Sequence, residues 1–324
     1  RDLVRQLLVT ADIVIENFRP GVMENWGLDP ESLRQDNPSL IYARISGYGQ
    51  SGPYAKKPGF ASACEGISGF RYLNGYPDEV PVRPNLSLGD SVSGLHAVIG
   101  IMMALRARDQ KTDEEPAQGQ VVDVALYESM FNLLEAVIPE YHGADIIRQP
   151  SGTTVTGIVP TNTYKCADGK HLVIGGNGDS IFTRLMQAIG RGDIAANESY
   201  ATNADRVLHE TEIDTVLKAW CANHTLADAL TFLEFHRVPC GPVYNAEDMM
   251  NDQHFNERGL FEQVEINGEY LKIPAILPKL DNTPGGTEWP GPELGSHTDE
   301  VLVGLGLDEK AIADLKASGV IADS

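Results

Sequence analysis

Cations are scarce in this sequence: of 324 residues, 25 are Lys or Arg against 46 Asp or Glu, for a formal net charge of −21. A surface of that sign repels phosphate, which argues against a nucleic-acid or anionic-membrane partner. Cysteine is sparse too. Cys64, Cys166, Cys221 and Cys240 are widely spaced with no C-x-x-C pair, so neither a disulfide frame nor a zinc site is expected, and the pattern reads as reduced, buried thiols in a cytoplasmic protein. The eight histidines show no metal-ligand spacing. No apolar run approaches the roughly 18 residues that span a bilayer, and no signal peptide opens the chain. Internal repeats and low-complexity segments are also missing.

What is present fits an ordinary α/β enzyme of about two domains, with 42% apolar residues, 32 Gly and 19 Pro. Residues 1–150 alternate helix and strand. Leu3 to Leu8 reads as a helix running into the strand Ile13-Val14-Ile15. Asp29-Pro30 starts a further helix, and Leu40 to Ile45 is a strand that ends at the Gly47-Tyr48-Gly49 turn. Val92 to Leu105 is apolar on most faces and is expected to be a buried helix. Asp109 to Gln118 reads as a surface loop, Gln120 to Ala125 as a strand and Tyr127 to Ile138 as a helix. Such alternation predicts a Rossmann-like domain with a mainly parallel sheet. From 155 to 275 the pattern changes to a smaller, inserted α+β domain. It has β-rich segments around Ala167-Asp168-Gly169-Lys170, amphipathic helices at Ser180–Ile189, Glu212–Asn223 and Leu226–Arg237, and a hairpin at Asn267-Gly268. Residues 276–324 are expected to return to the large domain, ending in a helix capped by Asp308.

Several short patterns carry chemistry. Asp90, in Leu88-Gly89-Asp90-Ser91, opens the long apolar helix. A carboxylate there faces unpaired N–H groups and the positive end of the helix dipole, a setting that keeps it ionised and able to act as a nucleophile. A plain Asp N-cap is the alternative. Asn17, Phe18 and Arg19 follow a strand, at the end where open α/β sheets bind ligands, and the Arg19 fork suits a phosphate. A strand-end turn with an exposed Arg is the competing reading. Lys56-Lys57 before Pro58-Gly59 is the only Lys pair in an acidic chain, or else simply a solvated loop. Gly175-Gly176-Asn177-Gly178-Asp179 joins a strand to a helix but lacks the third Gly of a dinucleotide fingerprint and the Lys of a P-loop, and could be a plain turn. His96 reads as a satisfied or near-site residue. Gly89-Asp90-Ser91 with Asp168-Gly169-Lys170-His171 imitates a serine-hydrolase pair, but the second block stands mid-chain where such enzymes carry it near the C-terminus.

Taken together, Ala11 to Gly21, Asn37 to Ala43, Ser46 to Gln50, Lys57 to Phe60, the Asp90 segment, Gly119 to Ala125, Tyr164 to Gly169, Val238 to Val243 and Leu294 to Thr298 resemble, in order and over nearly the whole chain, the class III CoA-transferases (the CaiB/BaiF family of formyl-CoA and carnitine CoA-transferases). The resemblance implies that Asp90 is a covalent nucleophile moving CoA from an acyl-CoA to a carboxylic acid, with CoA as substrate and no metal, ATP or redox cofactor. It implies CoA contacts at Asn17, Phe18, Arg19 and Lys57, a mobile glycine loop at Gly175 and Gly176 over the acyl-enzyme, and an interlocked homodimer. It further implies that βα units helping to bind the nucleotide precede Arg1 and are missing from this sequence. One departure is that Asn25-Trp26 stands where family members often carry a further Arg. Related α-methylacyl-CoA racemases place a His at the position of Phe60, and phenylalanine cannot exchange protons. A racemase is therefore the second reading, a thioesterase or a non-catalytic CoA-binding subunit the third. Arg44 and Arg71 are candidates to face a second substrate carboxylate.

Overall fold

The computed structural model describes residues 1–110 and 117–321. The chain divides into two compact units, the first made of Arg1–Tyr164, Ile174–Trp220 and Leu233–Pro239, the second of Lys165–Val173, Cys221–Phe232 and Cys240–Ser324.

In the first unit, strands β1 (Ile13–Glu16), β2 (Ile41–Ser46) and β3 (Val121–Ala125) form a parallel sheet in the order β1-β2-β3. The register pairs Glu16 with Arg44 and Ser46 with Ala125, so the C-terminal ends of all three strands reach one edge. β2 is the apolar centre: Ile41, Tyr42 and Ala43 are fully buried. Tyr42 packs with Val14, Met23, Leu28, Leu33 and Leu40, and its hydroxyl donates to the Leu28 carbonyl at 2.8 Å, so the ring is buried without an orphaned polar atom. Asp29 caps the helix Pro30–Asp36 as expected, accepting from the Ser32 N–H at 2.9 Å.

The long helix runs from Leu88 to Asp109, packed on β2 and β3. It starts four residues earlier than the apolar run and is not buried all round. Gly89, Ser93, Ala97, Ile101 and Ala104 face inward, while Leu95, Val98, Ile99, Met102 and Met103 are exposed on a stripe. With a mean hydropathy of 1.5 over its most apolar stretch, it is also long and apolar enough to cross a bilayer by length and composition alone. The expected loop from Asp109 to Gln118 lies, over 111–116, outside the described residues, and Asp109 itself belongs to the helix. The expected helix from Tyr127 to Ile138 is two, Leu126–Phe131 and Val137–Ala144. Glu135 adopts a positive φ of 50° between them, a left-handed conformation that ends helical propagation.

Polar side chains tie residues 174–220 to the segment 159–164. Asp214 accepts from Asn162 at 2.6 Å and from the Tyr164 hydroxyl at 2.7 Å. Arg206, fully buried, donates to the carbonyls of Val159, Tyr200 and Ala201 and pairs with Asp179 at 2.7 Å. In the second unit, the strands Phe261–Ile266 and Glu269–Pro274 form the hairpin read at Asn267-Gly268, with positive φ at both turn residues. Residues after 276 stay with that unit: Glu262 accepts from the Thr287 N–H at 2.9 Å. Lys316 pairs with Asp299 at 2.8 Å, fastening the Asp308-capped helix Glu309–Ala317 to Thr298–Gly304. Cys64, Cys166 and Cys221 are buried free thiols and Cys240 is half-buried.

Candidate active site

At the C-terminal edge of the parallel sheet, β2 runs out into Gly47-Tyr48-Gly49-Gln50. Asp123 on β3 holds this turn by accepting from the Gln50 N–H at 3.0 Å. Gly47 then meets Gly59 back to back. A Cβ on Gly47 would stand 2.6 Å from the Gly59 Cα, and one on Gly59 would stand 2.7 Å from the Gly47 Cα, so neither position admits a side chain. This crossing fixes Phe60, which caps the helix Ala61–Ile67 and is 73% exposed.

The same short helix supports the start of the long one. Ala61 packs on Gly89, and the fully buried Glu65 accepts from the Gly89 N–H at 3.3 Å. The next residue is Asp90, exposed in the helix's first turn. It is not the N-cap: Ser87 holds that position and makes no side-chain cap bond. The Asp90 carboxylate has no hydrogen-bond partner among the described residues, so it is left available to a ligand, at the positive end of the helix dipole. Burial pushes the Cys64 thiol above its ordinary value, and the negative charges of Asp90 and Glu65 add to that shift. Cys64 therefore stands as a neutral thiol, 3.3 Å from the Gly47 carbonyl. Burial, with Cys64 beside it, also holds the Tyr48 phenol up.

Asn17, Phe18 and Arg19 leave β1 at the same sheet edge, and all three are exposed. Glu16 orients them, accepting from the Phe18 N–H at 2.7 Å, while the Phe18 ring stands edge-on to Trp26 at 5.2 Å. Trp26 is thus a support for Phe18 at the position where the family often has Arg. Arg19 makes no ion pair among the described residues. Lys57 places its ammonium 3.5 Å from the centre of the Tyr54 ring, a cation–π contact.

Two expectations change. Arg44 does not face a ligand: it is buried with Glu16 at 2.7 Å and Glu24 at 2.6 Å. Arg71 is likewise taken, by Glu65 at 3.1 Å and by the Ser62 hydroxyl. At the expected glycine loop, the Gly175 and Gly176 N–H groups donate to the Pro239 and Pro160 carbonyls at 3.0 and 2.8 Å. A Cβ on Gly176 would lie 2.9 Å from Leu185 Cδ2, so packing already demands glycine there, and Arg206 holds the Asn177 carbonyl that follows. Glu65 escaped the sequence reading because nothing in the pattern Ala61-Ser62-Ala63-Cys64-Glu65 shows which helix face meets Gly89. His96 approaches Asn132 at 3.5 Å. The Asp168 of the apparent hydrolase pair accepts from the Leu226 N–H at 3.2 Å, within the second unit.

The family model for CoA-transferase family III matches residues 1–298. The chain is 41% identical over 322 residues to a succinyl-CoA–D-citramalate CoA-transferase of Chloroflexus aurantiacus, an alignment covering 98% of this chain and 79% of that protein. It is 36% identical over 307 residues to a succinate–glutarate CoA-transferase of Agrobacterium fabrum, covering 94% of this chain and 74% of that protein. The crystal structure of a CaiB/BaiF family protein from Brucella suis superposes with a TM-score of 0.79 at 30% identity, over 94% of this chain and 78% of that one.

Proposed function

The chain belongs to CoA-transferase family III and is a CoA-transferase, and from that premise we propose that it moves CoA from succinyl-CoA to a short dicarboxylic acid through a covalent intermediate on Asp90. The observation that carries the mechanism is the free, exposed Asp90 carboxylate in the first turn of the long helix, at the ligand-binding edge of the sheet. Asp90 attacks the thioester carbonyl, giving a mixed anhydride and CoA thiolate. The thiolate attacks the aspartyl carbonyl, storing CoA as an aspartyl thioester and releasing the donor acid. An acceptor carboxylate attacks that thioester, and the thiolate then takes the acceptor's acyl group, returning Asp90 as a carboxylate. Electrons and protons balance without metal, ATP or redox cofactor. What remains for the protein is positioning and the exclusion of water.

Asn17, Phe18, Arg19 and Lys57 are assigned to CoA, Arg19 and Lys57 as phosphate cations. The names of the relatives point to C4–C5 diacids. With Arg44 and Arg71 already paired, Arg83 is the better receptor for the distal carboxylate. It stands in the segment leading into the long helix, exposed, and among the described residues donates only to the Pro84 and Leu86 carbonyls at 3.3 and 3.1 Å. Phe60 beside the site favours transfer over racemisation, since no proton can move through it.

The active assembly is proposed to be an interlocked homodimer. The exposed stripe of the long helix supports this, as does an apolar cavity of about 360 Å³ lined by Ile67, Tyr72, Phe131, Ile138 and Ile147, since contiguous apolar surface of this kind marks an interface.

The test is trapping. Enzyme incubated with succinyl-CoA and hydroxylamine should yield a hydroxamate at Asp90 by mass spectrometry, and Asp90→Asn should neither trap nor turn over. Wild-type turnover by Asp90→Asn removes the nucleophile assignment. Rapid α-deuterium incorporation into a 2-methylacyl-CoA would restore the racemase reading.

A further inference from the structure

We infer that Glu65 is a positioning residue for Asp90, holding the first turn of the long helix where the Asp90 carboxylate can act; the inference rests on Asp90 being the nucleophile. Glu65 is fully buried, and a carboxylate survives out of water only when its lone pairs are met. Two groups meet them here. Arg71 donates to Oε2 from Nη2 at 3.1 Å and from Nε at 3.4 Å, while the Gly89 N–H donates to Oε1 at 3.3 Å. Arg71 is itself braced by the Ser62 hydroxyl, one turn back on the helix that carries Glu65.

The Gly89 N–H is one of the first N–H groups of the long helix, which have no partner within the helix itself. The N-cap Ser87 supplies no side-chain bond, so Glu65 caps the helix from a neighbouring element. On the other side of the same residue, the Gly89 carbonyl accepts from the buried Ser93 hydroxyl at 2.7 Å, and that carbonyl belongs to the peptide bond leading into Asp90. Gly89 is therefore held at both ends, and the backbone of Asp90 inherits its direction. Capping by Glu65 has a second consequence. The helix end is served by a carboxylate that is not the nucleophile, which spares Asp90 its own lone pairs for attack.

Loss of this support should appear in the chemistry and not in substrate affinity. A displacement of about 1 Å at a reacting group costs about a hundredfold in rate. In Glu65→Ala, kcat should fall by about that factor, with the KM for succinyl-CoA near its wild-type value. Hydroxamate formation at Asp90 with succinyl-CoA alone should slow in parallel. Glu65→Gln keeps an oxygen that can accept from the Gly89 N–H and should recover most of the rate. Circular dichroism and light scattering check that each variant folds and assembles as the wild type does. Where Glu65→Ala does not fold, Arg71→Ala, which leaves the carboxylate unbraced, replaces it with the same expected split between kcat and KM. A folded Glu65→Ala with wild-type kcat and trapping rate, beside an inactive Asp90→Asn, overturns the positioning role alone. Equal slowing in Glu65→Ala and Glu65→Gln also overturns it, because the hydrogen bond to Gly89 would then not be the operative contact. Wild-type turnover in Asp90→Asn overturns both readings.

Discussion

At the scale of single residues, charge is used here mainly to build the site and sparingly to meet the ligand. Arg44 spends its fork on Glu16 and Glu24, and Glu16 in turn carries the Phe18 backbone. Arg44→Ala strands the buried Glu16 carboxylate and should lower stability by about 3–5 kcal/mol, read as a shift in the urea midpoint. The Arg44 guanidinium beside Glu24 holds its carboxyl below the usual range. Because the folded value is depressed, the stabilisation is complete above the unfolded value of about 4.3 and is lost as pH falls through the folded one. Glu24→Gln should therefore lower stability at neutral pH and flatten the acid limb, the variant converging on the wild type as pH falls below about 4; an unchanged profile would show that the pair contributes nothing. Arg83→Ala should raise the KM for a dicarboxylic acceptor roughly tenfold or more, the worth of one charged hydrogen bond, and leave that for a monocarboxylic acceptor unchanged. Equal KM changes for both acids would return Arg83 to the surface.

At the scale of elements, the site is a crossing of backbones. The β2 turn and the Lys57-Pro58-Gly59-Phe60 segment touch at Gly47 and Gly59 without room for one methyl group. Gly47→Ala must push the two segments apart, displacing Phe60 and the helix that holds Glu65. The expected outcome is a loss of about 1–3 kcal/mol together with a fall in kcat, measured by denaturation and steady-state assay on the same preparation. Full activity in a destabilised Gly47→Ala would mean that the crossing supports the fold only. The sequence names these glycines but not their partners. Gly47 and Gly59 are twelve positions apart, and their approach depends on the path of the chain between them. The hairpin at Asn267-Gly268 shows the opposite case. Its positive φ angles are dictated by the two residues themselves, so it was legible without any tertiary contact.

For the whole molecule, the unsettled surface is the outer face of the long helix. Leu95, Val98, Ile99, Met102 and Met103 recur at helical spacing and are all exposed in the single chain. In water such a stripe costs free energy unless another apolar surface covers it. The proposed homodimer covers it with a second copy, and the double substitution Leu95→Glu with Met103→Glu should produce monomers or aggregates on light scattering across a dilution series. A folded, active wild-type monomer at nanomolar concentration would refute the interlocked arrangement. The net charge of −21 sharpens the contrast: in a chain that repels polyanions overall, the proposed phosphate contacts fall to a few local cations, Arg19 and Lys57.

Local chemistry determined much of this protein from the sequence alone: the alternating elements, the Asp29 and Asp308 caps, the hairpin and the placement of Asp90 in the first turn of an apolar helix. Each depends on residues within a few positions of one another, where backbone preference and side-chain capping act without long-range contact. The tertiary structure decided the rest. It turned Arg44 and Arg71 inward to carboxylates of the chain itself and exposed a helix that composition reads as buried. It also joined residues 174–220 to the first unit and set Glu65 beneath Gly89. All of these depend on which side chains meet across tens of residues, and a buried charge must find its counter-charge wherever the fold places one.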